Sequence, residues 1–439
     1  MTPVTAAPWL AIAGFGMVAL FMLAIMRRWL SPLVALVVVP VAFALAMGVS
    51  VAALGPLLLA GVVKLAPTGI MLLFAILYFG LMIDAGLFDP LVRWMLARVG
   101  GDPLRVVGGT VLLAAVVSLD GDGSTTYMIV TAALLPLYRR LRLDALELTS
   151  LTMLTSGVMN LTPWGGPLAR AATALHLETG EVFRLMWPLM AAGLAGVLAL
   201  AYFVGLRERQ RVGVIELAPL EPGLEEFTAQ RPGRLLANAV LTSLLLCGLV
   251  MEWMPLPVLF MLAFGLAALL NYPQVDEQRA RVAAHAPNAL AVAGLIFAAG
   301  AFTGVLGGTG MLDAMSATAL QAVPPSLGGA LAPLTAAASL PLTFFLSNDA
   351  FYYGMLPVLA KAGAAYGIEP VAMARAALVG QPFHLLSPLV PSTWLLVGLA
   401  GVDFADHQRR TWLRAAAVCL LMLVAGVVAG AFPLLSRAG

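Results

Sequence analysis

Charge is scarce in this chain. Of 439 residues only 10% are Asp, Glu, Lys or Arg, while 61% are hydrophobic and the mean hydropathy is +0.97. A soluble protein of this size needs a far more charged surface, so that class is excluded. Cysteine is nearly absent: Cys247 and Cys419 both lie in apolar runs and read as small hydrophobes, which excludes a disulfide framework or a zinc site. No basic residue precedes the first apolar run, so a cleaved signal peptide is not expected. The net charge of +2 carries no sign of a nucleic-acid partner, and none is expected.

What the chain has in abundance is apolar runs near the ~20-residue length that crosses a bilayer. Fourteen such segments fall between residues 8 and 433, among them 66–84 and 288–308. The longest polar interruption, 207–233, holds charged residues, prolines and glycines and reads as a cytoplasmic linker between residues 1–206 and 234–439. The two parts share strings: Gly86-Leu-Phe-Asp89 recurs 224 positions later as Gly310-Met-Leu-Asp313. At the same offset Asn160 to Pro167 corresponds to His384 to Pro391. Order and spacing point to an internal duplication.

Arginine sets the orientation, because cytoplasmic loops carry the excess of positive charge. Arg27 and Arg28 follow the first span, which places the N-terminus outside. Arg93, Arg98 and Arg105 precede segment 103–138, and Arg139, Arg140 and Arg142 follow it. Both its ends are then cytoplasmic, so 103–138 is expected to be a re-entrant hairpin entering from inside. A second hairpin, 327–361, with its tip near Pro341 to Asp349, enters from outside. The expected fold is an all-α polytopic membrane protein of two inverted-topology repeats, about ten transmembrane helices plus two re-entrant hairpins, with both termini outside.

The first tip carries the chemistry. Ser118-Leu-Asp120-Gly-Asp122-Gly-Ser124-Thr125-Thr126-Tyr127 puts two carboxylates, glycines and a run of hydroxyls between apolar segments. An Asp at bilayer depth costs about 2.5–3.5 kcal/mol on insertion scales, so such a string implies a water-filled cavity or a bound cation. Prolines and glycines at 160–167, and prolines at 384–391, are expected to unwind two spans near their centres, turning freed carbonyls and half-helix ends into the same cavity.

Four strings resemble the citrate–divalent-metal/proton symporters of the ion transporter superfamily: Ser118 to Met128, Asn160 to Pro167, Phe344 to Phe351 and Gln381 to Pro391. The likeness spans nearly the whole chain. It implies a bacterial inner-membrane carrier that imports citrate complexed with a divalent cation of the Mg or Ca type, together with protons. More distantly the layout is similar to that of divalent-anion/sodium symporters, whose paired Ser-Asn-Thr tips form the site, and which work as elevator-type homodimers. Here Ser347-Asn348-Asp349 has Asp in place of Thr, and Ser124-Thr125-Thr126 lacks the Asn, which suits a divalent cation or a proton better than sodium.

Citrate complexed with a divalent cation bears about one negative charge, and desolvation cost climbs steeply with charge, so the complex is easier to move than the bare anion. The substrate candidates are Ser124, Thr125, Thr126, Asn160, Gly165, Gly166, Arg170, Ser347, Asn348 and Ser387. The metal or proton candidates are Asp120, Asp122, Asp349 and His384. Either Asp120 or Asp122 could instead cap a half-helix. Arg170 is open between holding a citrate carboxylate and pairing with Asp84. His384 reads as the histidine inside a span, with His176, His285 and His407 at loop ends. No permanently bound cofactor is expected, since the divalent cation is cargo. Rival readings are a carrier of gluconate, a dicarboxylate or sodium, a membrane-embedded aspartyl hydrolase, and a channel.

Overall fold

A computed structural model describes residues 8–27, 29–87, 89–90, 98, 100–121, 123–214, 232–251, 253–322, 324–388 and 390–436. Among them every regular element is helical. In the first half these are α1 (Pro8–Met26), α2 (Pro32–Ala46), α3 (Val51–Asp84), α4 (Pro103–Val117), α5 (Gly123–Arg140), α6 (Ala145–Met159), α7 (Gly166–Ala174), α8 (Thr179–Phe183) and α9 (Trp187–Val212). The second half follows with α10 (Leu235–Val250), α11 (Leu256–Asn271), α12 (Val275–Gly308), α13 (Met311–Ala322), α14 (Leu331–Phe345), α15 (Leu356–Ala364), α16 (Pro370–Leu378), α17 (Pro391–Ala400) and α18 (Phe404–Val428).

Length sorts them. The helices α3, α9, α12 and α18 contain apolar stretches long enough to cross a membrane. By contrast α4 and α14 have 15 residues each, about 22 Å at 1.5 Å per residue, which falls short of a ~30 Å hydrocarbon core. The outward faces carry large apolar side chains, such as Ile12, Leu236, Leu266 and Leu420, a surface suited to lipid rather than water.

Two helices are longer than their apolar content suggests. The run 66–84 belongs to a continuous 34-residue helix beginning at Val51, and 288–308 to another of 34 residues beginning at Val275. Polar residues fill the first turns of α12, so hydropathy alone hides its start. The bounds of α3 and α12 differ by 224 positions at both ends. Each is followed by a left-handed glycine, Gly86 (φ 80°) and Gly310 (φ 77°), again 224 apart. A positive φ there lets the chain reverse without a Cβ clash, and Leu87 N donates to Met82 O at 3.0 Å to close the end of α3.

These two helices run antiparallel against each other. Asp84, at the end of α3, meets Arg281 and His285 in the opening turns of α12, while Gly61 packs on Gly300 farther along. The crossing is close because it is lined by glycine: a Cβ on Gly300 would sit 2.8 Å from the Val62 backbone, and one on Gly80 would sit 2.6 Å from the His285 ring. The Gly80–His285 contact recurs with the halves exchanged as Gly304–Gly61. Such an exchange is the signature of a two-fold relation. Other packings exchange likewise: α11 lies on α3 and α2 on α12; α9 on α4 and α18 on α14; α17 on α5 and α7 on α15.

Two hydrophobic cores result. One unites the hairpin helices with α6, α9, α16 and α18, through residues such as Val111, Leu134, Leu154, Leu189, Leu378 and Val418. The other unites α1–α3 with α10–α13, through residues such as Phe21, Leu72, Phe260 and Phe302. Trp164, Ala169, Leu346, Ala350 and Tyr353 belong to the second core although their segments carry the first, and so mark the seam.

A Val at position 61 has no room, because its Cβ would collide with the Gly300 carbonyl, whereas position 55 has open space around it. Gly61→Val is therefore expected to lower stability by about 1–3 kcal/mol or more through overpacking. In thermal unfolding of the detergent-solubilised protein, Gly61→Val should melt well below the parent and Gly55→Val close to it. Equal melting of both would refute the close crossing.

Candidate functional site

Both hairpins turn back at polar tips. The first passes from α4 through the single 3-10 turn Ser118–Asp120 to Gly121, whose φ of 77° reverses the chain, and on into α5. Thr126 and Ser118 join their hydroxyls across the tip at 3.1 Å. Ser124 and Thr125 open α5 and are half-buried. Asp120 ends the 3-10 turn, while Asp122 lies outside the described residues. The second tip is Leu346–Asp349. It lies beyond Pro341, which stays inside α14, so the turn begins later than the proline suggests. A π-helical turn, Ala350–Met355, follows, and Ser347 Oγ accepts from Ala350 N at 3.2 Å to start it.

Two spans are interrupted beside these tips. Between α6 and α7 the chain unwinds from Asn160 to Gly165. A Cβ on Gly165 would run into the Asn160 carbonyl, and one on Gly166 would lie 2.8 Å from the Arg170 guanidinium, so the two glycines let the break fold tightly and leave Arg170 its place. The second interruption follows the short helix Gln381–His384 and ends at Pro391. Three of its carbonyls, those of Leu385, Leu386 and Pro388, are taken up by side chains instead of facing an open cavity, contrary to the expectation from sequence. Thr393 Oγ1 donates to Leu385 O at 2.6 Å, Gln408 to Leu386 O at 2.8 Å, and Trp394 to Pro388 O at 3.0 Å. Side chains thus satisfy the backbone groups that lipid cannot.

Tips and breaks meet in a crossed pattern. The first tip leans on the first break, where Trp164 Nε1 donates to Leu119 O at 2.7 Å. It also reaches the second: a Cβ on Gly123 would lie 3.7 Å from Ser392 Oγ and 3.8 Å from Ser156 Oγ. At the second tip, Asn348 and Gln381 pair their amides at 2.9 Å and 3.4 Å, and Gln381 also donates to Tyr352 OH at 2.6 Å. Asp349 accepts from Arg170 Nε at 2.7 Å, linking the second tip to α7. His384 Nδ1 donates to Thr343 O at 2.6 Å, which fixes the proton on that nitrogen because a carbonyl can only accept. Ser387 is fully buried in the second break.

The charges are therefore placed differently from the alternatives left open by the sequence. Arg170 pairs with Asp349; Asp84 is held by Arg281 at 3.2 Å and His285 at 2.9 Å. His285 does not sit at a loop end, whereas His407 falls in the first turn of α18, directly after a loop. The former lies well inside α12, and the latter, in α18, is buried with Nδ1 3.0 Å from Thr149 Oγ1. Arg375 in α16, also buried, donates to the carbonyls of Glu181 and Val182 at 2.7 Å and 3.0 Å and so fastens α8.

Near the first break, the side-chain oxygens of Ser156, Asn160 and Thr162 are buried and have no hydrogen-bond partner among the described residues. Buried polar atoms are nearly always paired, and each unpaired one costs about 1–3 kcal/mol. Three together beside an acidic tip make a set of hard oxygen donors suited to a cation or to the hydroxyl of a polar cargo. Ser156, Thr162, Ser392 and Gln381 were not singled out from sequence. Gln381 had a signal, as the one amide within the apolar segment 369–400.

Helical hairpins and interrupted helices with polar groups buried at their meeting point follow the plan of multi-pass membrane transporters. The fold agrees with a solved structure, that of the Alcanivorax borkumensis YdaH transporter, described as having an unusual topology. That chain superposes with a TM-score of 0.56 over 88% of this chain and 91% of its own, at 14% identity. Residues 8–380 match the model of the citrate transporter family (CitMHS), and this chain belongs to that family. Among its relatives in Bacillus subtilis (strain 168), a citrate transporter is 52% identical over 96% of this chain and 99% of its own. A Mg(2+)/citrate complex secondary transporter from the same strain is 45% identical, with the same coverage.

The Arg170–Asp349 pair invites a double-mutant cycle. Removing one partner, as in Asp349→Ala, leaves a buried guanidinium uncompensated and should cost about 3–5 kcal/mol. Arg170→Met combined with Asp349→Ala should recover much of that loss. Thermal unfolding of the two single variants and the double checks it; strictly additive effects would mean that the two side chains do not interact.

Proposed function

We propose that this chain is a secondary transporter that imports citrate as its complex with a divalent cation of the Mg or Ca type, in symport with protons, across a bacterial inner membrane. The carrying observation is the trio of buried, unpaired oxygens on Ser156, Asn160 and Thr162 beside the Asp120 tip. A hard cation takes oxygen ligands, six for Mg²⁺ and up to eight for Ca²⁺, and citrate itself fills several of them. The protein then needs to offer only a few oxygens, most of them neutral, which this donor set does. The two relatives named for citrate and for the Mg(2+)/citrate complex support the cargo.

In this reading Ser124, Thr125, Thr126, Asn160, Ser347, Asn348 and Ser387 line the cargo's path, with Gly165 and Gly166 giving backbone access. Asp120, Asp122 and His384 are the metal or proton groups. Asp349 joins them through Arg170: a citrate carboxylate arriving at the guanidinium displaces Asp349, which then takes the proton. That exchange gives symport a physical basis without a separate proton channel.

The antiparallel α3 and α12, related by the 224-residue offset, support an inverted repeat of residues 1–206 and 234–439; of the cytoplasmic linker expected at 207–233, residues 207–212 complete α9 and 215–231 lie outside the described residues. The hairpins, 103–138 and 327–361, then enter from opposite faces. The two separate cores support an elevator in which the hairpin-bearing body slides along the other, with the second body as the surface for a homodimer. A cavity of about 210 Å³ at the seam, lined by His176, Thr303, Leu312, Pro357 and Lys361 among others, suits the approach of an anionic complex.

Labelled citrate should enter proteoliposomes when Mg²⁺ or Ca²⁺ is present, slow sharply when EDTA removes it, and respond to a protonophore but not to replacing Na⁺ with choline. Uptake indifferent to EDTA would refute the complex as cargo. Asn160→Ala should reduce uptake about tenfold, the effect of one lost polar contact, with membrane abundance unchanged. Parental rates in that variant would remove the oxygen trio from the site.

A further inference from the structure

Far from the hairpin tips, at the arginine-rich end of the molecule, α9 and α18 meet the turn between α5 and α6. They enclose a cavity of about 390 Å³ walled by charge: Arg142, Asp144, Glu147, Arg207, Glu208, Arg211, Arg410 and Arg414 line it. Five guanidiniums face three carboxylates. The carboxylates serve to orient the cations. Glu147, buried, takes Arg414 through two nitrogens at 2.5 Å and 3.0 Å and Arg410 at 2.5 Å; Asp144 holds Arg410 as well, at 3.1 Å. Glu208 holds Arg211, which also donates to the Arg142 carbonyl at 2.7 Å. That carbonyl is presented by a left-handed Arg142, φ 53°, a conformation an arginine adopts only when its surroundings impose it.

Arg142 and Arg207 complete the rim, and neither has an acidic partner among the described residues. The cavity therefore has two positive charges in excess, beside three guanidiniums whose directions Glu147, Asp144 and Glu208 fix. Planar guanidinium forks of this kind match phosphate oxygens. The neighbouring surface names the source of the phosphate. Tyr202 and Phe203 on α9, and Trp412 and Leu413 on α18, lie exposed within two turns of the rim on the lipid-facing sides of the same helices. A soluble anion would make no use of that apolar border, whereas a phospholipid would lay its acyl chains on it.

We infer that this cavity is a binding site for the headgroup phosphate of an anionic phospholipid, in the leaflet that borders the arginine-rich face. The site is independent of the cargo and of the assignment of the hairpin tips.

The full-length protein in a neutral detergent, titrated with phosphatidylglycerol or phosphatidylcholine and read by native mass spectrometry, tests this. Phosphatidylglycerol should be retained and phosphatidylcholine not. Arg142→Ala combined with Arg207→Ala should bind phosphatidylglycerol about thirtyfold more weakly, at roughly one charge's worth of attraction per arginine. Arg105→Ala, an exposed arginine outside the cavity, should bind as the parent does. Should the double variant fail to fold, Arg207→Gln alone should still weaken retention severalfold. Millimolar inorganic phosphate is the competing arm. Equal retention of both lipids, parental binding by the variants, or displacement of phosphatidylglycerol by inorganic phosphate would each overturn the lipid site.

Discussion

Hydrocarbon offers no hydrogen bond, and that single constraint governs this molecule. A helix can cross lipid because it satisfies its own backbone; an interrupted helix cannot, unless protein supplies the missing partners. The chain interrupts two spans and inserts two hairpins, so it must surround all four with itself. Thr393, Gln408 and Trp394 cover the carbonyls of one break, Trp164 covers the first tip, and Gln381 covers the second. The glycine-lined crossing of α3 and α12 forms the core of the neighbouring body. The polar groups of tips and breaks are thereby kept from lipid.

Within the enclosure, the few polar atoms left unpaired become informative. Ordinary structural groups are matched: Asp84 with Arg281 and His285, Arg375 with two carbonyls, His407 with Thr149. Other buried oxygens, such as those of Thr131, Thr335 and Thr411, also lack a partner among the described residues, but those at 156, 160 and 162 fall where tip and break converge. The Arg170–Asp349 pair differs in another way. It is fully matched, yet it joins segments from different halves of the chain, so anything that separates them must supply a substitute for each charge.

Much of this could be read before the structure, and the reasons are physical. Proline and glycine inside long apolar stretches mark where a membrane helix stops, which is why 160–167 and 384–391 lie so close to the observed breaks. The lengths of α3 and α12 were not legible in the same way. Apolar counting stops at Lys64 and at the polar opening of α12, although helical hydrogen bonding continues through both. Pairing was the least accessible part. Arg170 was left between a citrate carboxylate and Asp84, and its actual partner, Asp349, emerges only from the crossed packing of α7 against the second hairpin. Gln381 was visible as an isolated amide, but its bond to Asn348 depends on a contact between residues 33 apart.

The positive charge of this chain is almost all arginine; the only two lysines are Lys64 and Lys361. Lys361 lines the cavity at the seam between the two cores, and Lys64 is exposed on α3. Apart from the amino terminus, an amine-directed dye or cross-linker can thus attach nowhere else on the protein. The chain therefore carries its own two addressable reporters, one of them at the cavity between the cores.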